Sequence, residues 1–301
     1  MQRATLTGVL LTVVGFILYS SKAVMVKLAY QYDIDSVSLL LFRMLFSLPF
    51  YVGVWFYHRK KWKAKPLSKR EKLGLLAIGI VGYYLSSYFD FKGLTYITAS
   101  LERLILFTYP TIVLILTALF LKKKISLKMI ISIIITYGGM IIIFSDRGGI
   151  TTGTSEELLL GSIFVGLSAF FYASYMVISY AVVSGVGSVR LTAYSMIISC
   201  FLVFIHFFIT TNSNLFGFQT EVYLYSIAMA VFATVIPSFM INEGIKRLGA
   251  PNVSIIGTIG PVSTITLSII FLGEMLTLKQ FGGALIIIGG VAFLTWNRTK
   301  K

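Results

Sequence analysis

Ten apolar runs constrain this chain more than any motif in it. They lie at approximately 5–29, 36–57, 72–91, 97–121, 126–144, 157–183, 188–210, 221–241, 252–272 and 278–296. A helix needs roughly 20 apolar residues to cross a bilayer, so each run is read as a transmembrane helix. The intervening loops are short and leave no room for a sizeable soluble domain. Charged residues make up 12% of the chain, about half of what a soluble domain carries. The first run lacks a small-residue cleavage site close behind a short apolar core and is read as a retained helix.

The net charge of +15 would point to nucleic acid in a soluble protein. Its placement points elsewhere. With the N-terminus cytoplasmic, the inner segments are Arg3, the loop "HRKKWKAKPLSKREK", the loop "LKKKISLK", Arg190, Lys246 with Arg247, and the tail with Arg298, Lys300 and Lys301. These hold 19 of the 26 Lys and Arg. The outer segments hold three, Lys92, Arg147 and Lys279, and four more fall within the runs. This is the positive-inside distribution, and it places both termini in the cytoplasm. Anionic membrane lipid is then the partner of the basic loop at 58–72, and no nucleic acid is expected. Cys200 is the only cysteine, so neither an intrachain disulfide nor a cysteine metal site is available. His58 and His206 have no partner nearby in sequence, and no metal or cofactor motif is present.

The chain resembles itself when shifted by 151 residues. Gly15 meets Gly166, Met25-Val26 meets Met176-Val177, Gly93 meets Gly244, Ala99 meets Ala250 and Pro110 meets Pro261. Phe120-Leu121 meets Phe271-Leu272, Leu127-Lys128 meets Leu278-Lys279, and Gly138-Gly139 meets Gly289-Gly290. The chain is therefore read as an all-α membrane protein of ten transmembrane helices in two five-helix repeats, 1–150 and 151–301. Five is odd, so the second repeat enters the membrane inverted. The loops agree: the basic segment at 58–72 corresponds to "TTNSNLFGFQTE", which carries no positive charge. Inverted repeats are a transporter signature. Pro110 and Pro261 are read as paired helix kinks, tolerated where neighbouring groups satisfy the freed carbonyls.

Charges inside the runs are costly and mark function by default. Lys22, Lys27, Arg43, Asp90, Glu102 and Arg103 all fall in the outer half of the first repeat. Their counterparts 151 residues on, Ala173, Ile178, Tyr194, Ile241, Val253 and Ser254, are uncharged, so the fold itself does not require them. Helical spacing gives four polar stripes: Thr12, Gly15, Tyr19 and Lys22; Tyr83, Ser87 and Asp90; Thr98, Glu102 and Tyr109; and Ser168, Tyr172, Tyr175 and Ser179. The substrate-binding candidates are Tyr19, Lys22, Arg43, Tyr83, Ser87, Asp90, Glu102, Tyr109, Tyr172 and Tyr175. Glu102 is expected to face the cavity with Lys22 or Arg43 as partner, and to couple transport to protons. Arg103, about 100° away on the helix, should reach a neighbouring helix or the outer rim. A structural ion pair is the bland alternative for the deep charges. Snorkelling to the interface is the bland alternative for Lys27, Asp90 and Lys92 near helix ends. The paired glycines at 138–139, 282–283 and 289–290 suit close helix packing, with a dimer interface as the second reading; the oligomeric state stays open.

An intramembrane enzyme lacks its parts here: there is no Gly-x-Ser-x-Gly, no His-Glu-x-x-His and no aspartate pair within the runs. A non-transporting receptor or structural protein gives no reason for an inverted repeat. The segments "KAVMVKLAY", "LLLFRMLFSLPF", "DFKGLTYITASLERLILFTYP" and "FLGEMLTLKQFGGALIIIGG" resemble the EamA-like members of the drug/metabolite transporter superfamily over nearly the whole chain. The resemblance implies ten helices around a central cavity, and movement of a small-molecule substrate such as an amino acid, in many members by export. Where the second half has Gly273-Glu274 the first has Lys122-Lys123, which weakens any repeated role for that acid. The net positive charge of the outer cluster favours an anionic or zwitterionic substrate, and an aromatic lining suits an amphipathic one. A bacterial cytoplasmic membrane is the expected location.

Overall fold

The computed structural model describes residues 2–97, 99–144, 154–211, 214–272 and 278–296. Thr98, Arg147, Gly273, Glu274 and the tail cations Arg298, Lys300 and Lys301 lie outside the described residues. Within them, all regular structure is helical. In chain order the helices are α1 (Gln2–Tyr30), α2 (Ser36–Lys63), α3 (Lys69–Tyr96), α4 (Ala99–Leu106), α5 (Tyr109–Leu121), α6 (Leu127–Phe144), α7 (Ser155–Val186), α8 (Ser188–Thr210), α9 (Thr220–Leu248), α10 (Ala250–Ile256), α11 (Gly260–Leu272) and α12 (Leu278–Trp296). Six are long and apolar enough to cross a membrane: α1 from Leu6, α2, α3, α7, α8 and α9. Shorter apolar helices run over Tyr109–Leu121, Leu127–Ile142 and Phe281–Leu294.

Helix ends follow local chemistry. The Asp35 carboxylate accepts from the Val37 and Ser38 N–H groups at 2.9 Å and starts α2. Ser68 with Glu71, and Thr154 with Glu157, form capping boxes at the heads of α3 and α7. Each box satisfies orphan N–H groups at a helix start. Gly187 turns the chain between α7 and α8 at φ 85°, and Gly249 does so between α9 and α10 at φ 82°; positive φ is cheap only for glycine.

The run expected to form one helix over 97–121 is two, broken at Phe107 and Thr108. The run at 252–272 breaks likewise, through a 3₁₀ turn Gly257–Ile259. Proline explains both. Pro110 has no N–H for the Leu106 carbonyl, and Pro261 has none for the Gly257 carbonyl, which takes the Gly260 N–H instead. Each proline sits in the first turn of a new helix, where its missing N–H costs nothing. The expected kinks at Pro110 and Pro261 are therefore helix breaks.

Two other helices change pitch midway. The stretch Ile78–Leu85 of α3 and the stretch Val231–Val235 of α9 are π-helical. Such segments re-aim side chains and occur often at functional sites.

The helices pack pairwise, α1 on α9, α3 on α7, α2 on α8 and α6 on α12. Small residues let the backbones close. A Cβ at Gly93 of α3 would meet Val165 of α7 at 2.5 Å, and one at Gly244 of α9 would meet Thr12 of α1. Among the paired glycines, Gly139 and Gly290 pack tightly while Gly138, Gly282 and Gly289 face open space. Leu10, Ile17, Phe50, Leu119, Phe201 and Ile205 lie exposed on the outer surface. Apolar exposure of this extent belongs against lipid or a partner.

Candidate functional site: an ionic cluster beside a tyrosine-lined cavity

Four charged side chains from α1, α3 and α4 meet in the interior. Lys22, Asp90, Glu102 and Arg103 are each no more than 2% exposed. Lys22 Nζ stands 2.5 Å from Asp90 Oδ2, and Arg103 Nε stands 3.1 Å from Glu102 Oε2. The Arg103 guanidinium also donates from Nη2 to the Ser20 carbonyl of α1 at 3.4 Å. Neither the Asp90 nor the Glu102 carboxyl receives a well-directed hydrogen bond from a donor group.

This pairing differs from the expected one. Asp90 takes Lys22, and Glu102 takes its sequence neighbour Arg103. The long arginine stem spans the angle that separates adjacent helical positions. Asp90 does not snorkel: it is 1% exposed. Lys27 donates to the Leu94 carbonyl at 2.8 Å, and Lys92 lies over the Tyr96 ring.

Tyr19 joins the cluster to a cavity. Its hydroxyl accepts from Lys22 Nζ at 3.3 Å, and the same ammonium lies 4.7 Å from its ring centre. The cavity is lined by Tyr19, Arg43, Tyr83, Ser87, Tyr172 and Tyr175, all expected from the sequence, together with Met44, Gly82, Met196, Ala233, Thr234, Ser238 and Ile241. Its volume is about 30 Å³, room for about two waters. Lys22, Asp90 and Glu102 stand beside this space and do not line it. Tyr109 packs edge-on against Tyr172 with centroids 5.1 Å apart, and its hydroxyl donates to the Ser254 carbonyl at 3.1 Å.

The tyrosines form a continuous aromatic wall. Tyr19 stacks on Tyr172 at 5.8 Å, Tyr172 meets Tyr175 at 5.4 Å, and Tyr175 meets Tyr83 at 4.9 Å. Asn242 of α9 locks the last pair. Its Nδ2 donates to the Tyr83 hydroxyl at 2.7 Å and to Thr192 Oγ1 at 2.9 Å, while its Oδ1 accepts from the Tyr175 hydroxyl at 2.9 Å. The Tyr83 hydroxyl donates to that of Tyr175 at 3.2 Å and closes the ring. Gly82 has no side chain because Tyr175 Cβ occupies that place.

Asn242, Thr234 and Ser238 did not emerge from the sequence reading. For two of them a signal exists. At the 151-residue offset Thr234 corresponds to Tyr83, and Ser238 corresponds to Ser87. Asn242 corresponds to Phe91 and has no such marker.

Long apolar helices around sealed charges and a polar aromatic cavity define a multi-pass membrane protein of the transporter class. The chain belongs to the EamA-like transporter family, whose model matches residues 6–145 and again 159–296. It is 30% identical to the uncharacterized transporter YcbK of Bacillus subtilis (strain 168), over 99% of this chain and 97% of that one. It is 22% identical to the uncharacterized inner membrane transporter YicL of Salmonella typhimurium (strain LT2), over 99% and 98%. A solved crystal structure superposes with a TM-score of 0.79 at 15% identity, covering 97% of this chain and 98% of the other; at that identity the likeness is one of fold.

Proposed function

We propose that the protein is a proton-coupled secondary transporter, an exporter of a small metabolite such as an amino acid or an amphipathic compound. It works by alternating access between two inverted five-helix repeats, 1–150 and 151–301. It spans the cytoplasmic membrane ten times: α4 with α5, and α10 with α11, each make one broken span. Both termini face the cytoplasm.

The observation that carries this reading is the make-up of the cavity. Gly82, Tyr83 and Ser87 line it from α3, and their counterparts at the 151-residue offset, Ala233, Thr234 and Ser238, line it from α9. Binding at the crossing of inverted repeats is what alternating access requires. Other features recur at the same offset. The π-helical stretch 78–85 shifts to 229–236, which contains the second at 231–235. The break at Pro110 shifts to the break at Pro261. The packing of α3 on α7 exchanges with that of α9 on α1, and so do the contacts of Gly93 and Gly244. The cavity has room for about two waters, so one set of walls must move to admit a metabolite.

Glu102 supplies the coupling. The coupling proton is placed on Glu102, which is buried in one cluster with Arg103, Lys22 and Asp90. With that proton the cluster of Lys22, Arg103, Asp90 and Glu102 carries one net positive charge; without it the charge is zero. Protonation thus changes the field beside Tyr19 by one unit.

Flux in proteoliposomes tests this. A panel of amino acids and aromatic organic acids is followed with and without an imposed pH gradient. Transport that follows the gradient in the wild type, and loses its pH dependence in Glu102→Gln, supports the reading. Unchanged pH dependence in Glu102→Gln rules out coupling at Glu102.

A further inference from the structure

We infer that the cavity takes a carboxylate-bearing substrate, gripped side-on by the Nε/Nη2 edge of Arg43, with an aromatic or apolar body laid against the tyrosine wall. This rests on the cavity being the transport site.

Arg43 lines the cavity and is 2% exposed. Its Nε and Nη2 atoms have no hydrogen-bond partner. No carboxylate lies within ion-pair distance of it among the described residues. Asp90, the one carboxylate that acts on Arg43 electrostatically, is held by Lys22. A sealed cation with two idle donors is costly unless something anionic completes it.

The idle atoms are the two on one edge of the guanidinium. Their N–H bonds run parallel, spaced to meet both oxygens of a carboxylate. The Phe91 ring, 4.8 Å from the guanidinium carbon, holds that plane in place from one side. The guanidinium plane is therefore held before the ligand arrives, which limits the ordering cost of binding; Nε and Nη2 are themselves shut off from solvent, so the wall movement that admits a substrate must also uncover them.

The remaining cavity groups narrow the class further. The hydroxyls of Tyr83 and Tyr175 are committed to Asn242. The Tyr172 hydroxyl and Thr234 Oγ1 have no partner and can receive a second, neutral or ammonium donor from the substrate. No acidic side chain lines the cavity. A purely cationic substrate would find Arg43 opposing it and no counter-charge. A carboxylate finds a fork, and a zwitterion finds the fork plus two hydroxyls.

The test uses the full chain in lipid nanodiscs and three probes of one shape: 3-phenylpropanoate, 3-phenylpropanamide and phenethylammonium. Binding is measured by titration calorimetry. The wild type should bind the carboxylate at least about tenfold more tightly than either other probe, a typical margin for a charge-assisted bidentate contact. Arg43→Lys keeps the charge but not the fork, and should lose most of that preference; Arg43→Gln should lose all of it. Should Arg43→Gln fail to fold, the wild type and Arg43→Lys decide. Equal binding of amide and carboxylate, or a preference that survives Arg43→Lys, overturns the inference. If phenethylammonium binds best and Tyr172→Ala abolishes its binding, the carboxylate inference falls while the cavity stands. If no probe responds to Arg43 or Tyr172, both fall.

Discussion

Lys22 Nζ and Asp90 Oδ2 meet 2.5 Å apart with both side chains sealed from solvent. The pair ties α1 to α3 beside the cavity. Removing one partner leaves the other buried and uncompensated, at a cost of about 3–5 kcal/mol. Lys22→Met and Asp90→Leu should each lower the thermal transition in detergent by many degrees. The double variant Lys22→Met/Asp90→Leu should recover much of that loss, since a packed apolar pair often replaces a buried ion pair without penalty. Differential scanning fluorimetry of the two singles and the double checks this, and additive losses would speak against a coupled pair.

Asn242 predicts a second stability effect. Asn242→Leu leaves the Tyr83 and Tyr175 hydroxyls and Thr192 Oγ1 each short of a partner. Tyr83 keeps its bond to Tyr175 and Thr192 keeps its bond to the Ser188 carbonyl, so the Tyr175 hydroxyl proton is the one left without an acceptor, and the variant is expected to lose about 1–3 kcal/mol. Thr192→Val, which removes one spoke of the network, should cost far less. Unfolding midpoints of the two variants measure the ratio.

The glycine pair on α6 contains its own control. A Cβ at Gly139 would meet the Gly283 carbonyl oxygen at 2.7 Å and the Ile287 N–H nitrogen at 3.0 Å, whereas one at Gly138 meets nothing within 4 Å. Gly139→Ala should destabilise by about 1–3 kcal/mol through overpacking of α6 on α12. Gly138→Ala should be neutral or stabilising by up to about 1 kcal/mol, because alanine favours the helix. Thermal transitions of the two variants should therefore move in different directions.

Proline placement gives a fourth expectation. Pro110 occupies the first turn of α5, where it withholds no helical hydrogen bond. Pro110→Ala should cost under about 1 kcal/mol. A proline in mid-helix, by contrast, breaks the ladder at about 3 kcal/mol. A large loss of stability on Pro110→Ala would mean that the break is held by the proline ring itself.

The helices were largely readable, because bilayer thickness fixes the length of an apolar run and charge marks its ends. The breaks at Phe107–Thr108 and Gly257–Ile259 were half visible: both prolines stood out, but not whether the chain would bend or restart. The polar stripes point to the cavity wall because Tyr19, Tyr83 and the pair Tyr172 and Tyr175 each fall in a stripe at helical spacing on their own helix, and all four line the cavity. Spacing on one helix says nothing about which helix comes opposite, so the sequence offers Lys22 or Arg43 to Glu102, whereas Lys22 pairs with Asp90 and Glu102 with Arg103. Asn242 was invisible for the same reason. It lies on a helix with no stripe of its own, and its role comes from Tyr83 and Tyr175 arriving from two other helices. The π-helical stretches leave no mark in hydrophobic periodicity at all.

Accessibility of Ser87 tests alternating access most directly, and it needs no substrate. Ser87 lines the cavity, and the native Cys200 is fully buried. A single Ser87→Cys in a Cys200→Ser background is exposed to a membrane-impermeant maleimide in right-side-out and in inverted vesicles. Alternating access predicts labelling from both sides of the membrane. Labelling from one side alone, or from neither, would contradict it.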